Sequence, residues 1–291
     1  MPNLNKGDLI EAAIRSVLEQ TIKNLELVIV DDASTDTSSE IARRYAEKDA
    51  RITLIRHTAT RGVSAARNTG IREARGAIIG FIDSDDTYAP SKLEKQLDAL
   101  DKERVPAVIY CDFGKIDAQG KELPPDRRPH YKKDGMIFGD ILEYKFGIKA
   151  TILLPKVCFQ KVGLFDESLP LAEDLDMVLR LSWLYPFRCL DEKLYSYRIS
   201  PGNTEDRLSQ SSINFYRALV IERHYRRTSS TLTRDQKRTV GLNLTVLYSR
   251  SSHAGKTIRY GLSSYDSLRY LLIAPFRGHG LRQVLHLSKT D

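Results

Sequence analysis

At 291 residues, about two-fifths of them apolar, the chain has material for one large α/β domain plus an extension, and nothing in its size demands a partner for stability. Cys111, Cys158 and Cys189 are odd in number, far apart and form no C-x-x-C pair, which argues against a disulfide framework or a zinc site and suits a reducing cytoplasm. The formal charge of +7 is uneven, about 30 basic against 34 acidic residues up to Asp206 and about 15 against 4 from Arg207 onward, so the excess sits in the tail, where a solvated helical surface is its commonest cause.

In chain order, DLIEAAIRSVLEQ places Ile10, Ile14, Val17 and Leu18 at helical spacing behind Asn5 and Asp8, which predicts an amphipathic helix with one of these two as its cap. LELVIVDD, from Leu25, reads as a buried strand that stops at two carboxylates, and DASTDTSSE supplies the loop and cap for the helix IARRYAEK. RITLIRH is a second strand, SAARNTGIREA a second helix, and AIIGFIDSDD a third apolar strand that again runs into acidic residues. The alternation predicts a parallel sheet wound with helices, whose ligand site lies at the carboxyl ends of the strands, where both acidic clusters fall. The helix SKLEKQLDAL, the strand AVIYCDFGKID and a Pro-, Lys- and Asp-rich exposed loop over residues 121–134 follow. ATILLPKVCFQKVGLFDE, the helix AEDLDMVLRLSWL and the alternating strand KLYSYRIS close the α/β part near residue 205. The expected divisions are residues 1–105 and 106–205 as two halves of one domain and residues 206–291 as a basic helical extension, with no internal repeat.

Three acidic clusters carry the chemistry. Asp83, Ser84, Asp85 and Asp86 end an apolar strand, and carboxylates crowded there repel one another unless a cation sits among them; hard oxygen ligands suit Mg²⁺ or Mn²⁺. A solvated turn with an aspartate cap is the plainer alternative. Asp31 and Asp32 end another strand, where a carboxylate is able to accept the imide N–H of uracil or, equally, to cap the next helix. Glu173, Asp174 and Asp176 open an amphipathic helix whose buried stripe is marked by Leu175, Val178, Leu179 and Trp183; acids in a first helical turn also simply complement the helix dipole.

In combination and order, EAAIRSVLEQT, LELVIVDDASTD, RGVSAARNTGI, GAIIGFIDSDD with Pro90 and Leu93, VGLFDESL, AEDLDMVLRL and the closing Tyr197 and Arg198 resemble the family 2 glycosyltransferases over roughly residues 2–205. The resemblance implies a GT-A (Rossmann-like) mixed α/β sheet with flanking helices, followed here by the helical extension, and an inverting, metal-dependent transfer of a sugar from a nucleotide diphosphate donor, UDP by default, to an acceptor hydroxyl. It implies that Asp31 and Asp32 hold the nucleobase or ribose, that Arg67 contacts the nucleotide and that Gly62 bends its loop. It puts the ribose contact and the metal in Asp83, Ser84, Asp85 and Asp86, with Asp85 and Asp86 as metal ligands. Asp174, in the pair with Glu173, matches the general base, and Arg198 a basic position within reach of the departing phosphates. The physical logic agrees, since a carboxylate opposite the leaving group takes the acceptor proton while cations stabilise the charge on the diphosphate. One catalytic carboxylate suffices, unlike a glycosidase, which typically needs two.

Family members open with an apolar strand running into a Pro-x-Tyr-Asn turn, of which Pro2 and Asn5 remain, with Leu4 in place of the tyrosine. The expectation is therefore a sheet without its central first strand, from a late start or a truncated chain, with unpaired backbone groups on both neighbours and, if the chain begins at Met1, weakened nucleotide binding. Thr60 and Ser200 stand where the family often has Asn and His. FIDSDDT also imitates the D-x-D-x-T motif of haloacid-dehalogenase-type phosphatases, with Asp83 as nucleophile and Asp85 as acid/base, although that motif normally lies on a first strand with Gly at the place of Asp86. A nucleotide-sugar-binding but inactive relative is the other alternative. No apolar run reaches the roughly 18 residues that span a bilayer, so a cytoplasmic protein without nucleic-acid partners is expected. SLRYLLIAPFRGHGLRQVLHL, with Leu271, Leu272, Ile273 and Phe276 before Arg277 and Arg282, is either an ordinary packing helix pair or a basic element on an anionic membrane surface, interrupted by Pro275 and Gly278.

Overall fold

The first helix buries the stripe that its spacing marks. In the computed structural model, which describes residues 1–125, 132–144, 148, 150–200 and 208–251, α1 (Ile10–Leu18) hides Ile10, Ala13, Ile14 and Val17. They share one apolar cluster with Leu27 and Ile29 of β2 (Leu27–Asp31) and Ile41 and Ala42 of α2 (Ser38–Lys48). Neither Asn5 nor Asp8 caps the helix. Leu9 holds the N-cap position, the Lys6 carbonyl takes the N–H groups of Leu9 and Ile10, and the Asn5 side chain instead accepts the Thr35 N–H at 2.8 Å.

The chain divides into two compact units, residues 1–138 with 146–201, and residues 139–145 with 202–291. In the first, β1 (Pro2–Asn3), β2 and β3 (Ile52–Arg56) form a parallel sheet of three strands in the order β1-β2-β3. β4 (Ile78–Gly80), β5 (Thr87–Tyr88), β6 (Val108–Ile116), β7 (Leu153–Pro155) and β8 (Phe187–Arg198) form a second, mixed sheet of five, ordered β4-β7-β6-β8-β5, parallel between β6 and β8 and antiparallel elsewhere. The helices α3 (Val63–Glu73), α4 (Lys92–Leu100), α6 (Cys158–Val162) and α7 (Glu173–Leu184) flank them, and the chain passes from the first unit into the second within α5 (Phe138–Leu142). This is the mixed α/β architecture that the motifs imply, with a helical C-terminal region. Among the described residues, no helix is long and apolar enough to cross a membrane.

Three sequence expectations are corrected. The first strand is present as two residues, Pro2 and Asn3, in parallel register with Val30 and Asp31. The third apolar strand stops at Gly80 instead of running into the acids, because Phe81 and Asp83 turn their backbone to side chains: the Phe81 carbonyl accepts the Tyr88 hydroxyl at 2.6 Å, and the Asp83 N–H points to the Tyr195 hydroxyl at 3.4 Å. In α7 the buried face is Met177, Val178, Leu179 and Leu181, while Trp183 lies 43% exposed and meets Phe138 edge to face.

In the second unit, α8 (Gln210–Thr228) and α9 (Arg234–Arg250) pair as a hairpin that buries Ile213, Val220, Ile221, Val240, Leu244 and Tyr248. Ser209 caps α8, and a capping box between Thr233 and Gln236 opens α9. The buried Glu222 bonds both the Tyr248 hydroxyl and Arg226, which keeps its charge compensated. The segment 267–287, singled out for a possible membrane role, lies outside the described residues.

Lys92 is buried at the start of α4, its ammonium 4.1 Å from the centroid of the Tyr88 ring and bonded to the Gln96 side chain. Gln96 in turn donates to the carbonyls of Ile109 and Thr151 on β6 and ahead of β7. Burial drives the Lys92 pKa from the ordinary 10.5 down to about 8, against a smaller opposing effect of Cys111. Between those two values the unfolded chain holds more protons than the folded one, so this lysine costs most below pH 8 and its cost fades as the pH rises toward 10.5. Lys92→Met is expected to flatten that rise and to gain about 1 to 3 kcal/mol at neutral pH. Urea titrations of both proteins at pH 7 and pH 10 measure this, and equal slopes against pH would remove Lys92 as the source.

Candidate active site

Arg67, on the second turn of α3, is the centre on which distant carboxylates converge. Its Nη2 lies 3.0 Å from Asp83 Oδ1 just past β4, its Nη1 2.7 Å from Glu173 Oε1 at the first residue of α7, and its guanidinium 5.4 Å from the centre of the Phe165 ring. Burial by itself lowers the pKa of this arginine, but Asp83, Glu173 and Asp174 together outweigh it, so the charge is held firmly. Glu173 responds in the opposite sense: burial raises its pKa, the like charge of Asp174 adds to the rise, and Arg67 opposes both. Asp174 itself is exposed, with Oδ1 accepting the Leu175 N–H at 2.7 Å. Ala172, the residue before the pair, has φ 61°, a left-handed backbone that a non-glycine residue adopts at a cost of about 1 kcal/mol or more and that recurs at functional sites.

A turn from Asp83 to Asp86, closed by the Asp86 N–H on the Asp83 carbonyl, joins this centre to a second one. Asp86 is buried, accepting the Tyr195 hydroxyl at 2.6 Å and the Arg198 backbone N–H at 2.8 Å; burial and the like charges of Asp83 and Asp85 push its carboxyl up to about 8. Arg198 grips the backbone of the same turn, with Nε on the Asp85 carbonyl at 2.7 Å and Nη1 on the carbonyls of Asp117 and Ala118. Ser84 is buried beside them. The Asp85 carboxylate pairs with Lys6, Nζ to Oδ2 at 2.6 Å. Lys6 is presented by a loop tied down through the Asn5 N–H on Ser34 and the Gly7 N–H on Asp36. Among the described residues, no three His, Cys, Asp or Glu side chains form a ready metal cage.

Asp31 and Asp32 make a third group. The Asp32 carboxylate accepts the backbone N–H groups of Arg61 and Gly62, at 2.9 and 2.8 Å, and lies 2.7 Å from His57 Nδ1. The other ring nitrogen of His57 reaches Thr69 on α3 at 3.0 Å, so Asp32 and His57 together brace the loop and helix that carry Arg67. Gly62 is the N-cap of α3 at φ 92°, a backbone that glycine takes without strain. Asp31 accepts Asn3 Nδ2 at 2.8 Å, and its buried Oδ2 has no hydrogen-bond donor among the described residues but pairs with Arg56 Nε at 3.3 Å.

Arg67, Asp83 and Glu173 therefore meet directly, with the exposed Asp174 acting on them through its charge; Arg198 grips the adjoining turn of Asp85 and Asp86; Asp32 acts on the N-terminal end of α3, while Asp31 bonds Asn3 and pairs with Arg56. Sequence reasoning missed Lys6, His57 and Tyr195. His57 was findable, being the polar residue that ends the strand RITLIRH at the ligand edge of the sheet. Lys6 and Tyr195 gave no local signal, since a loop lysine and an alternating strand tyrosine are ordinary.

The family model for glycosyl transferase family 2 matches residues 1–165. An uncharacterized glycosyltransferase of Rickettsia prowazekii is 33% identical over 193 residues, 64% of this chain and 59% of that protein. The uncharacterized glycosyltransferase EpsJ of Bacillus subtilis is 33% identical over 211 residues, 70% of this chain and 61% of its own length. The chain thus spans about three-fifths of the length of these curated relatives. Among solved structures, S. aureus TarS 1–349 in complex with UDP-GlcNAc superposes with a TM-score of 0.68 at 18% identity, over 91% of this chain and 79% of that one. The mannosyltransferase PcManGT from Pyrobaculum calidifontis, in complex with GDP-Man and Mn2+, gives 0.59 at 18% identity, over 99% of this chain and 79% of the other. These likenesses establish the GT-A fold, and since the family model spans more than half of the chain, including Asp31, Asp32, Arg67 and the acidic turn from Asp83 to Asp86, the chain belongs to glycosyl transferase family 2.

Proposed function

We propose that the protein is an inverting glycosyltransferase that transfers a hexosyl or N-acetylhexosaminyl group from a nucleotide diphosphate donor, UDP by default, to the hydroxyl of a glycan or lipid-linked acceptor in cell-surface polysaccharide or glycolipid synthesis. The observation that supports it best is Arg67, bonded at once to Asp83 and to Glu173, which stands 106 residues further along the chain. Family membership supports transfer over the phosphatase alternative, and TarS and PcManGT, crystallised with UDP-GlcNAc and with GDP-Man and Mn2+, bind donors of this kind.

Asp174, exposed at the head of α7, is the general base in this reading. Its carboxylate takes the proton of the acceptor hydroxyl as that oxygen attacks the anomeric carbon; the bond from that carbon to the phosphate oxygen breaks, its electron pair leaves on the diphosphate, and the single displacement inverts the configuration. Glu173, paired with Arg67, sets the position of its neighbour. In this reading Asp31, whose buried Oδ2 pairs with Arg56 Nε at 3.3 Å, takes the nucleobase or ribose, and Asp32 holds the Arg61 and Gly62 loop. Asp85 fits Mg²⁺ or Mn²⁺ as a hard, partly exposed carboxylate balanced by Lys6, and such ions need few protein ligands when phosphate and water supply the rest. When bound, the ion neutralises charge on the departing diphosphate. Asp86, with its oxygens already taken by Tyr195 and Arg198, shapes the turn and is the weaker of the two metal candidates.

With a saturating UDP-sugar and Mn²⁺, thermal melting should shift up by about 5 °C or more. Asp85→Asn should lose that shift, whereas Asp174→Asn should keep it and lose transfer by about 10²- to 10⁴-fold. Loss of the shift in both variants alike would take the base role from Asp174. Lys6→Met, which frees Asp85 of its counter-charge, should tighten Mn²⁺ binding to the donor-free protein several-fold by titration calorimetry; unchanged affinity would mean that Lys6 and the ion do not compete. The basic C-terminal segment is read either as a packing helix pair or as an element on the cytoplasmic membrane face: sedimentation of the full-length protein with anionic vesicles, absent in a version lacking residues 207–291, would support attachment, and equal behaviour would speak against it.

A further inference from the structure

Lys92 breaks three local rules at once. Its side chain is fully buried, it stands in the first turn of α4, where a cation opposes the helix dipole, and among the described residues no carboxylate pairs with its ammonium. A methionine would fill the same space without those costs. Such departures concentrate at functional sites, and the contacts of this ammonium lead to one. It lies 4.1 Å from the centre of the Tyr88 ring, and that ring meets the Tyr195 ring with centroids 5.7 Å apart, the two tyrosines being register partners on β5 and β8. Their hydroxyls hold the acidic turn from both ends. Tyr88 donates to the Phe81 carbonyl and Tyr195 to Asp86 Oδ2, each at 2.6 Å, and the Asp83 N–H points to the Tyr195 hydroxyl. Lys92 is itself well anchored: its N–H bonds the Ala89 carbonyl, which Gln20 Nε2 also holds at 2.8 Å, and its ammonium bonds the Gln96 side chain, tied in turn to the carbonyls of Ile109 and Thr151.

We propose that Lys92 is a positioning residue for the acidic turn: its buried ammonium fixes the Tyr88 and Tyr195 rings and, through their hydroxyls, the places of Asp83, Asp85 and Asp86. A cation over the face of a tyrosine is held by the ring quadrupole, and most strongly where water is excluded; a neutral side chain of the same length gives up that attraction. Burial presses the amine to about 8, so at pH 7 it is protonated in most molecules and the attraction is present. Lys92 touches none of the acids of the turn, and its influence on them runs through the two tyrosines. Asp83 carries the bond to Arg67 and Asp85 is the candidate metal ligand, so the geometry set in this way is that of the cation and diphosphate site. This role deepens the glycosyltransferase reading and rests on it for what the turn binds. The lysine thus trades stability for a fixed site, and the neutral variant that stabilises the fold is the one that loosens the turn.

The test compares the parent with Lys92→Met, Tyr195→Phe and the double variant, with Lys92→Gln as a second neutral replacement should the methionine fail to fold. Without ligand, the amides of Asp86 and Arg198 should exchange about fivefold faster or more in Lys92→Met than in the parent, while Ile29 of β2 exchanges no faster. Unchanged exchange at Asp86 and Arg198, or faster exchange at Ile29 as well, overturns the proposal. With UDP and Mn²⁺, titration calorimetry should give about tenfold weaker binding in Lys92→Met, and the double variant should lose little more than Tyr195→Phe alone. Parental affinity in Lys92→Met, or losses that add in full in the double variant, also overturns it. A parent that binds no UDP, with the turn loosened in Lys92→Met, upholds the positioning role and counts instead against the proposed donor.

Discussion

A buried guanidinium has to be answered by negative charge, and much of this site follows from that requirement. Arg67 is 8% exposed, and its desolvation is tolerable only because Asp83 and Glu173 bond to it and Asp174 stands near. The arginine thereby ties the end of β4 to the head of α7. Asp83, crowded against Asp85 and Asp86, leaves an excess of negative charge that Lys6 offsets in part, which is the electrostatic condition for taking up a cation together with a diphosphate.

The supports of that arrangement come from outside the acidic turn. Asp32 and His57 hold the Arg61 and Gly62 loop and the flank of α3, while Asn68 on the same helix bonds the Phe165 carbonyl and Glu167, and thus positions the ring against which Arg67 lies. Tyr195 and Arg198, at the end of β8, hold the acidic turn by hydroxyl and guanidinium contacts. Each catalytic candidate therefore sits on a rigid element whose orientation is set by hydrogen bonds to a second element, the condition under which a site retains its geometry. The strained backbone of Ala172, directly before Glu173, belongs to the same logic.

Much was legible in the residues alone. Periodicity placed the core faces of α1 and the courses of β2, β3 and β6 because burial of an apolar stripe is a local property of spacing. The order of the acidic motifs identified the family because three separated clusters at strand and helix ends seldom recur by accident. Tertiary structure alone decided what each polar side chain touches. Asp32 bonds backbone and His57, Lys92 lies buried against Tyr88, Trp183 lies exposed, and β4 ends at Gly80 because hydroxyls from Tyr88 and Tyr195 reach its continuation. Several of those outcomes depend on partners tens of residues away, as His57 is from Asp32 and Tyr195 from Asp83, and a pattern confined to neighbouring positions carries no record of them.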